Sequence, residues 1–116
     1  MLRVGIDLVQ VSRIADSLAQ FGDRFLRRIF TDGEIAYATA APGQTAERLA
    51  ARFAAKEAAK KALALDAVGW RQIEVVRAPS GACTLALHGI AAAGELAVSL
   101  SHEGDLAAAV VVHSGA

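Results

Sequence analysis

Between Ala51 and Ala62 the chain reads Ala-Arg-Phe-Ala-Ala-Lys-Glu-Ala-Ala-Lys-Lys-Ala, an alanine-rich run whose propensity predicts one long helix from Gln44 to about Leu65. At about 100° per residue, Ala50, Phe53, Ala54 and Ala64 share one sector, and Glu57 and Lys61 fall inside it. A carboxylate therefore occupies the apolar stripe, while Arg48 and Arg52 project from the opposite side of the helix. A buried acid is costly unless it is paired or binds a metal, so Glu57 requires a partner. Lys61, four residues on, is one candidate in the favoured Glu-to-Lys order; a metal is the other.

Twenty-seven of the 116 residues are alanine, which packs closely but contributes little apolar area per side chain. A chain of this size and make-up is expected to complete its core by oligomerising. The formal net charge is zero, which gives no global attraction to nucleic acid or to an anionic membrane; a charge-driven partner must use a local patch. The single cysteine, Cys83, excludes an internal disulfide framework and suits a reducing compartment, with its side chain expected as a small core hydrophobe in a strand. Asp7 breaks the N-terminal apolar run before a signal-peptide core could form, and Leu106 to Val112 is too short to span a bilayer. One cytoplasmic domain over residues 1–116 is expected.

Val4 to Val9 alternates as a strand, with Val4, Ile6 and Leu8 as its main apolar face and Gly5, Asp7 and Val9 opposite. Gly5 would let another backbone or a ligand approach the Asp7 side closely. Ser12 is read as the cap of a helix carrying Ile14, Leu18 and Phe21 and ending near Gly22. A short apolar-basic segment, Arg24 to Phe30, follows. Thr31 and Glu34 have capping-box spacing and should open a helix to about Ala40, broken at Ala41-Pro42-Gly43. After the long helix, Gln72 to Arg77 and Cys83 to Leu87 form a hairpin around Pro79-Ser80-Gly81. A short helix is expected over Ile90 to Ala93. Ala97 to His102 is a strand with Val98, Leu100 and His102 on one face, joined by Glu103-Gly104-Asp105 to a buried final strand, Leu106 to His113. The class is α+β, with helices in the first half and an antiparallel sheet mostly from the second.

Asp7, Glu57 and His102 stand as polar residues in apolar settings. Two carboxylates without further acidic or histidine ligands suit Mg²⁺, which keeps several waters and takes other ligands from substrate phosphates. Structural zinc is excluded by the lack of a cysteine pair or paired histidines. With a pyrophosphate bound, Lys61 would offset charge on a leaving phosphate, and a carboxylate or a water on the metal would accept the proton of an attacking hydroxyl. No GxxxxGK[ST], GxGxxG or GxSxG is present to support a P-loop, a Rossmann site or acyl-enzyme chemistry. Arg24, Arg27 and Arg28, with Arg13 on the preceding helix, concentrate positive charge in a neutral chain and would suit an acidic partner. Trp70 is expected as a partly buried anchor before the hairpin.

Gly5-Ile6-Asp7 with Arg13-Ile14, Arg52-Phe53-Ala54-Ala55-Lys56-Glu57-Ala58 followed by Lys61-Ala62, and Ser99-Leu100-Ser101-His102 resemble the three signature blocks of holo-acyl-carrier-protein synthases. These are the small members of the 4′-phosphopantetheinyl transferase superfamily. Arg24-Phe25, Arg28-Ile29-Phe30-Thr31, Glu34 and Trp70 extend the likeness over nearly the whole chain. The resemblance implies an antiparallel sheet packed on the long helix and a homotrimer with its sheets around the central axis. It implies transfer of 4′-phosphopantetheine from coenzyme A to a serine of apo acyl carrier protein, releasing 3′,5′-adenosine bisphosphate. Asp7 and Glu57 would hold Mg²⁺, Lys61 would contact the coenzyme A pyrophosphate, and His102 and Ser101 would line the coenzyme site. Arg13, Arg24 and Arg28 would face the acidic carrier. In the family the site lies between subunits. One division gives Asp7 and His102 to one protomer and Glu57 to its neighbour, and others are open. Arg3, Gln72, the turn Gly81-Ala82-Cys83 and the short stretch 63–69 depart from the usual pattern. A non-catalytic module that binds the carrier or coenzyme A, and a Mg²⁺-dependent pyrophosphate hydrolase, are the other readings of the same residues.

Overall fold

The computed structural model describes residues 1–115. Strand β1 (Leu2–Gln10) runs directly into α1 (Val11–Phe21), followed by α2 (Asp23–Ile29), α3 (Asp32–Thr39) and the long α4 (Thr45–Leu63). The hairpin β2 (Ile73–Arg77) and β3 (Cys83–Leu87) and the strands β4 (Glu95–Glu103) and β5 (Leu106–Ser114) complete an α+β fold. β5 pairs antiparallel with β1 on one side and with β4 on the other.

Local rules set most helix ends. Thr31 accepts from Glu34 N while Glu34 Oε1 accepts from Thr31 N at 2.9 Å, the capping box expected for α3. Gly22, at φ 55°, turns the chain out of α1. Helix α4 ends at Leu63, two residues before the expected Leu65, and is closed by Ala64 in a left-handed conformation. Two expectations are corrected. Ile90 to Ala93 is irregular rather than helical, because so short a segment cannot offset helix nucleation and the Ala93 carbonyl is taken by His113 Nε2 at 2.6 Å. Ser12 lies inside α1 and does not cap it; Gln10 holds the cap position, with no side-chain bond.

The two faces of β1 divide as expected, but the side that packs on the core is the one with Gly5 and Asp7 rather than the main apolar face. Gly5 is buried and faces α4, where a Cβ would collide with the Ala58 carbonyl oxygen and stand 2.9 Å from Ala62 N. Asp7, two residues on, shares that inward side. Leu2, Val4, Ile6 and Leu8 point outward and are 62–71% exposed. The register partners of Val4, Ile6 and Leu8 are Val112, Val110 and Ala108 of β5, so an apolar face runs over the sheet away from α4. The core lies on the inward side, where Ala107, Ala109 and Val111 of β5 meet Ala54, Ala55, Ala58, Ala59 and Ala62 of α4. Cys83 and Trp70 pack partly buried against it, as expected. Among the described residues no helix is long and apolar enough to cross a membrane.

Candidate active site

Alanine on α4 lets β1 and the helix approach closely, and this closeness brings Asp7 and Glu57 to one cleft. The cleft has a volume of about 420 Å³ and is lined by Asp7 and Gln10 of β1, Arg13 and Ser17 of α1, and Phe53 and Glu57 of α4, among others. Lys61 Nζ donates to the Ile6 carbonyl at 2.9 Å and to Asp7 Oδ1 at 3.3 Å. The i+4 partnership with Glu57 expected on the helix is therefore replaced by a cross-element pair with Asp7. Lys61 stays open to a ligand, with 54% of its side chain exposed, while Asp7 is mostly covered. Phe53 is backed by the Trp70 ring at 5.0 Å, and Lys60 Nζ stands 3.3 Å from the centre of that ring. One wall of the cleft is thus held by aromatic packing.

Asp7 and Glu57 offer carboxylate oxygens alone, and among the described residues no group of three His, Cys, Asp or Glu side chains forms a metal cage. A donor set of two carboxylates open to a cleft fits a hard cation that completes its shell with water and substrate phosphates, and fits zinc poorly.

Arg24 and Arg28 of α2, with Phe21 and Phe25, line a shallow groove of about 200 Å³. Phe25 also lines the main cleft, so the groove and the cleft adjoin. Arg13 sits in the cleft itself. Arg27 turns instead toward Asp32, 3.6 Å away, which Arg71 also approaches at 3.4 Å.

His102 and Ser101 do not join Asp7 and Glu57 in this chain. They line a second groove on the other flank of α4, with Tyr37, Gln44, Glu47, Arg48, Arg52, Arg77 and Cys83. The division that placed Asp7 with His102 and apart from Glu57 is corrected: the two carboxylates share one cleft within a single chain. His102 Nδ1 lies 3.7 Å from Glu47 Oε2.

Sequence reasoning assigned no site role to this second groove's basic lining. The guanidinium groups of Arg48 and Arg52 each stand 4.1 Å from the centre of the Tyr37 ring, and that of Arg77 stands 5.2 Å from it. Arg77 also donates to the Tyr37 hydroxyl at 2.8 Å. Arg52, expected on a face away from the apolar stripe, is buried, and its Nε has no hydrogen-bond partner among the described residues. Burial lowers its pKa from the usual arginine value, opposed by nearby Cys83 and Tyr37. Three guanidiniums around one aromatic ring fit a ligand that carries several negative charges beside a flat ring. Arg48 to Arg52 is an i, i+4 like-charge pair, the one signal in the sequence that such charge was gathered for something.

The other buried ionic group is structural. Lys56 Nζ lies 2.7 Å from Glu34 Oε1, both side chains fully buried. Lys56 also donates to the Trp70 carbonyl at 3.1 Å and to the Ile73 carbonyl, while Glu34 Oε2 accepts from Val75 N at 2.8 Å. Desolvation lowers the Lys56 pKa, and Glu34 pulls it back up. This network joins α3, α4 and β2 beside Glu57 and fixes the rotation of α4.

The model of the 4′-phosphopantetheinyl transferase superfamily matches residues 3–111. A holo-[acyl-carrier-protein] synthase of Koribacter versatilis is 46% identical over 122 residues, covering 97% of each chain. One of Nitratidesulfovibrio vulgaris strain DP4 is 48% identical over 119 residues, covering 94% of each. The solved ACPS–CoA complex of Chronobacterium ammoniagenes superposes with a TM-score of 0.87 at 31% identity, over 100% of this chain and 98% of that one.

Proposed function

The chain belongs to the 4′-phosphopantetheinyl transferase superfamily, and from that premise we propose that it transfers 4′-phosphopantetheine from coenzyme A to a serine of apo acyl carrier protein. The observation that carries the reading is the convergence of Asp7, Glu57 and Arg13 on one cleft, with Lys61 at Asp7. A module that only bound the carrier would have no use for that set.

Asp7 and Glu57 are the residues to hold Mg²⁺, which when bound supplies positive charge against the coenzyme A pyrophosphate. Lys61 engages Asp7 in this structure and leaves Glu57 without that counter-charge. One of the two carboxylates is placed to accept the proton of the carrier serine. The serine oxygen forms its bond to the phosphorus that bears the pantetheine arm, the bond from that phosphorus to the leaving oxygen breaks, and 3′,5′-adenosine bisphosphate departs. Lys61 offsets the charge that develops on the leaving phosphate. Arg13, Arg24 and Arg28 receive the acidic carrier, with Phe21 and Phe25 as the apolar floor between them.

The groove of His102, Ser101, Arg48, Arg52 and Tyr37 suits the adenosine bisphosphate end of coenzyme A, but it lies across α4 from the carboxylates. A second copy of the chain would supply it. The exposed Leu2, Val4, Ile6 and Leu8 offer the face on which copies would meet, and a homotrimer with these sheets around its axis would bury that face. Each site would then take its carboxylates from one subunit and its arginine groove from the next. We place the reaction, catalysed by a single domain, in the cytoplasm, where its soluble substrates meet.

Intact-mass spectrometry of an apo acyl carrier protein incubated with the protein, coenzyme A and Mg²⁺ tests the reading. The expected result is a gain of one phosphopantetheinyl group, lost with EDTA and with Glu57→Gln. Unchanged carriers with coenzyme A left intact would favour the binding module, and free phosphopantetheine without a modified carrier would favour the hydrolase.

A further inference from the structure

Helix α1 carries Arg13 into the cleft, yet its own sequence does little to fix where it starts. Its first turn holds no acidic residue, and Gln10 at the cap position makes no side-chain hydrogen bond. The leading N–H groups of a helix need acceptors from outside it. Here they come from the far end of the chain. Asp105, in the turn between β4 and β5, accepts from Val11 N through its backbone carbonyl at 2.8 Å. Its Oδ1 accepts from Ser12 N at 2.8 Å and its Oδ2 from the Ser12 hydroxyl at 2.6 Å.

We propose that Asp105 is a positioning residue for carrier docking: a helix cap supplied from the β4–β5 turn that sets the direction in which α1 leaves β1 and so holds Arg13 at the cleft. The inference rests on the reading of Arg13 as a carrier contact. Gln10 opposite Leu106 closes the β1–β5 ladder, so the first helical residue emerges beside the turn, and the turn is kept tight by Gly104 at φ 57°. The Asp105 carboxylate also faces the positive end of the helix, where a negative charge is favoured. The turn belongs to the same hairpin as His102, which pairs with Ala107 across it. One short connection therefore links the strand that bears His102 to the helix that bears Arg13.

Asp105→Ala and Asp105→Asn, each assayed for transfer and for backbone hydrogen exchange, test the proposal. Loss of a cap of this kind corresponds to about a fivefold change in opening of the first turn. Asp105→Ala should raise the KM for the carrier about fivefold and speed exchange at residues 11–14 to a similar degree, leaving kcat, the KM for coenzyme A and the β2–β3 amides unchanged. Asp105→Asn should restore most of both, because its Oδ1 still accepts from Ser12 N and asparagine and aspartate cap about equally well, with only the charge at the helix end lost. In an Arg13→Ala background, Asp105→Ala should add little to the carrier KM, since it acts through that arginine. Unchanged exchange at residues 11–14 overturns the proposal, and so does a carrier KM that stays constant or rises in full addition to Arg13→Ala. A wild-type protein inactive on every carrier refutes the proposed reaction and with it the docking role, while the exchange pattern still decides whether Asp105 fixes α1.

Discussion

Replacing Lys56 with methionine keeps the length of the side chain and removes its charge from the middle of the protein. The Glu34 carboxylate, 2.7 Å away and fully buried, then loses its only cation among the described ion pairs and keeps just two backbone donors, Thr31 N at 2.9 Å and Val75 N at 2.8 Å. The Trp70 and Ile73 carbonyls lose a donor as well. Breaking a buried pair from one side costs about 3–5 kcal/mol, a large share of a total stability of about 5–15 kcal/mol. At about 4 °C per kcal/mol for a chain of this length, the midpoint of thermal unfolding should fall by about 12–20 °C. The sign of the pH dependence gives a second check. Burial holds the Lys56 pKa below its usual value, so the wild type alone gains stability as the pH rises through that lowered value toward the ordinary lysine range, and the deficit of the variant should widen there. Urea unfolding followed by Trp70 fluorescence at fixed protein concentration measures both. A variant within about 1 kcal/mol of the wild type, with a parallel pH curve, would show that the network does not depend on the ion pair and that the rotation of α4 is held by alanine packing alone.

On the outer sheet face, Ile6→Lys should convert the proposed homotrimer to monomers in analytical ultracentrifugation and abolish transfer; an oligomer of unchanged mass would refute the role given to that face. In the second groove, Arg48→Ala should raise the KM for coenzyme A about tenfold, the order expected for one charge-assisted bond, without changing the KM for the carrier. The Thr31 hydroxyl at 2.6 Å, supported by His88 at 2.9 Å, holds the Glu74 carboxyl below the usual carboxylate range, against the opposing effect of burial. Its contribution to stability is therefore present above that range and is lost as the pH falls through the lowered value. Glu74→Gln should flatten the acid limb of a stability-against-pH curve, and an unchanged acid limb would contradict this.

The parts of the fold that depend on neighbouring residues were legible in the sequence. The Thr31–Glu34 capping box, the glycine at position 22 and the hairpin turn at 79–81 act within a few residues, and each stands where its pattern placed it. The start of α1 was misread because its cap comes from Asp105, 93 positions beyond Ser12. Alternation on β1 showed that Val4, Ile6 and Leu8 share an apolar face but could not say what that face meets. The Asp7 side goes to the core because Gly5 and the alanines of α4 allow a closer approach there. Glu57 was found because an acid on an apolar stripe stands out. Lys56 and Arg52 were passed over because long cations on a helix are ordinarily solvated, and only the partners brought by α3 and β2 make their burial tolerable.

Where Gly5 lies under Ala58, strand and helix touch backbone to backbone, and one turn further along Lys61 reaches back to Asp7 and the Ile6 carbonyl. The layer spacing is thus a fixed gauge for the Asp7–Lys61 pair. A single methyl group at position 5, or a wider side chain at 58 or 62, would lever α4 outward and carry Lys61 away from Asp7, even in a chain that still folds. Freedom to vary is therefore withdrawn from positions buried between strand and helix, and a saturation library scored on transfer would register Gly5 and Ala58 as intolerant beside Asp7 itself.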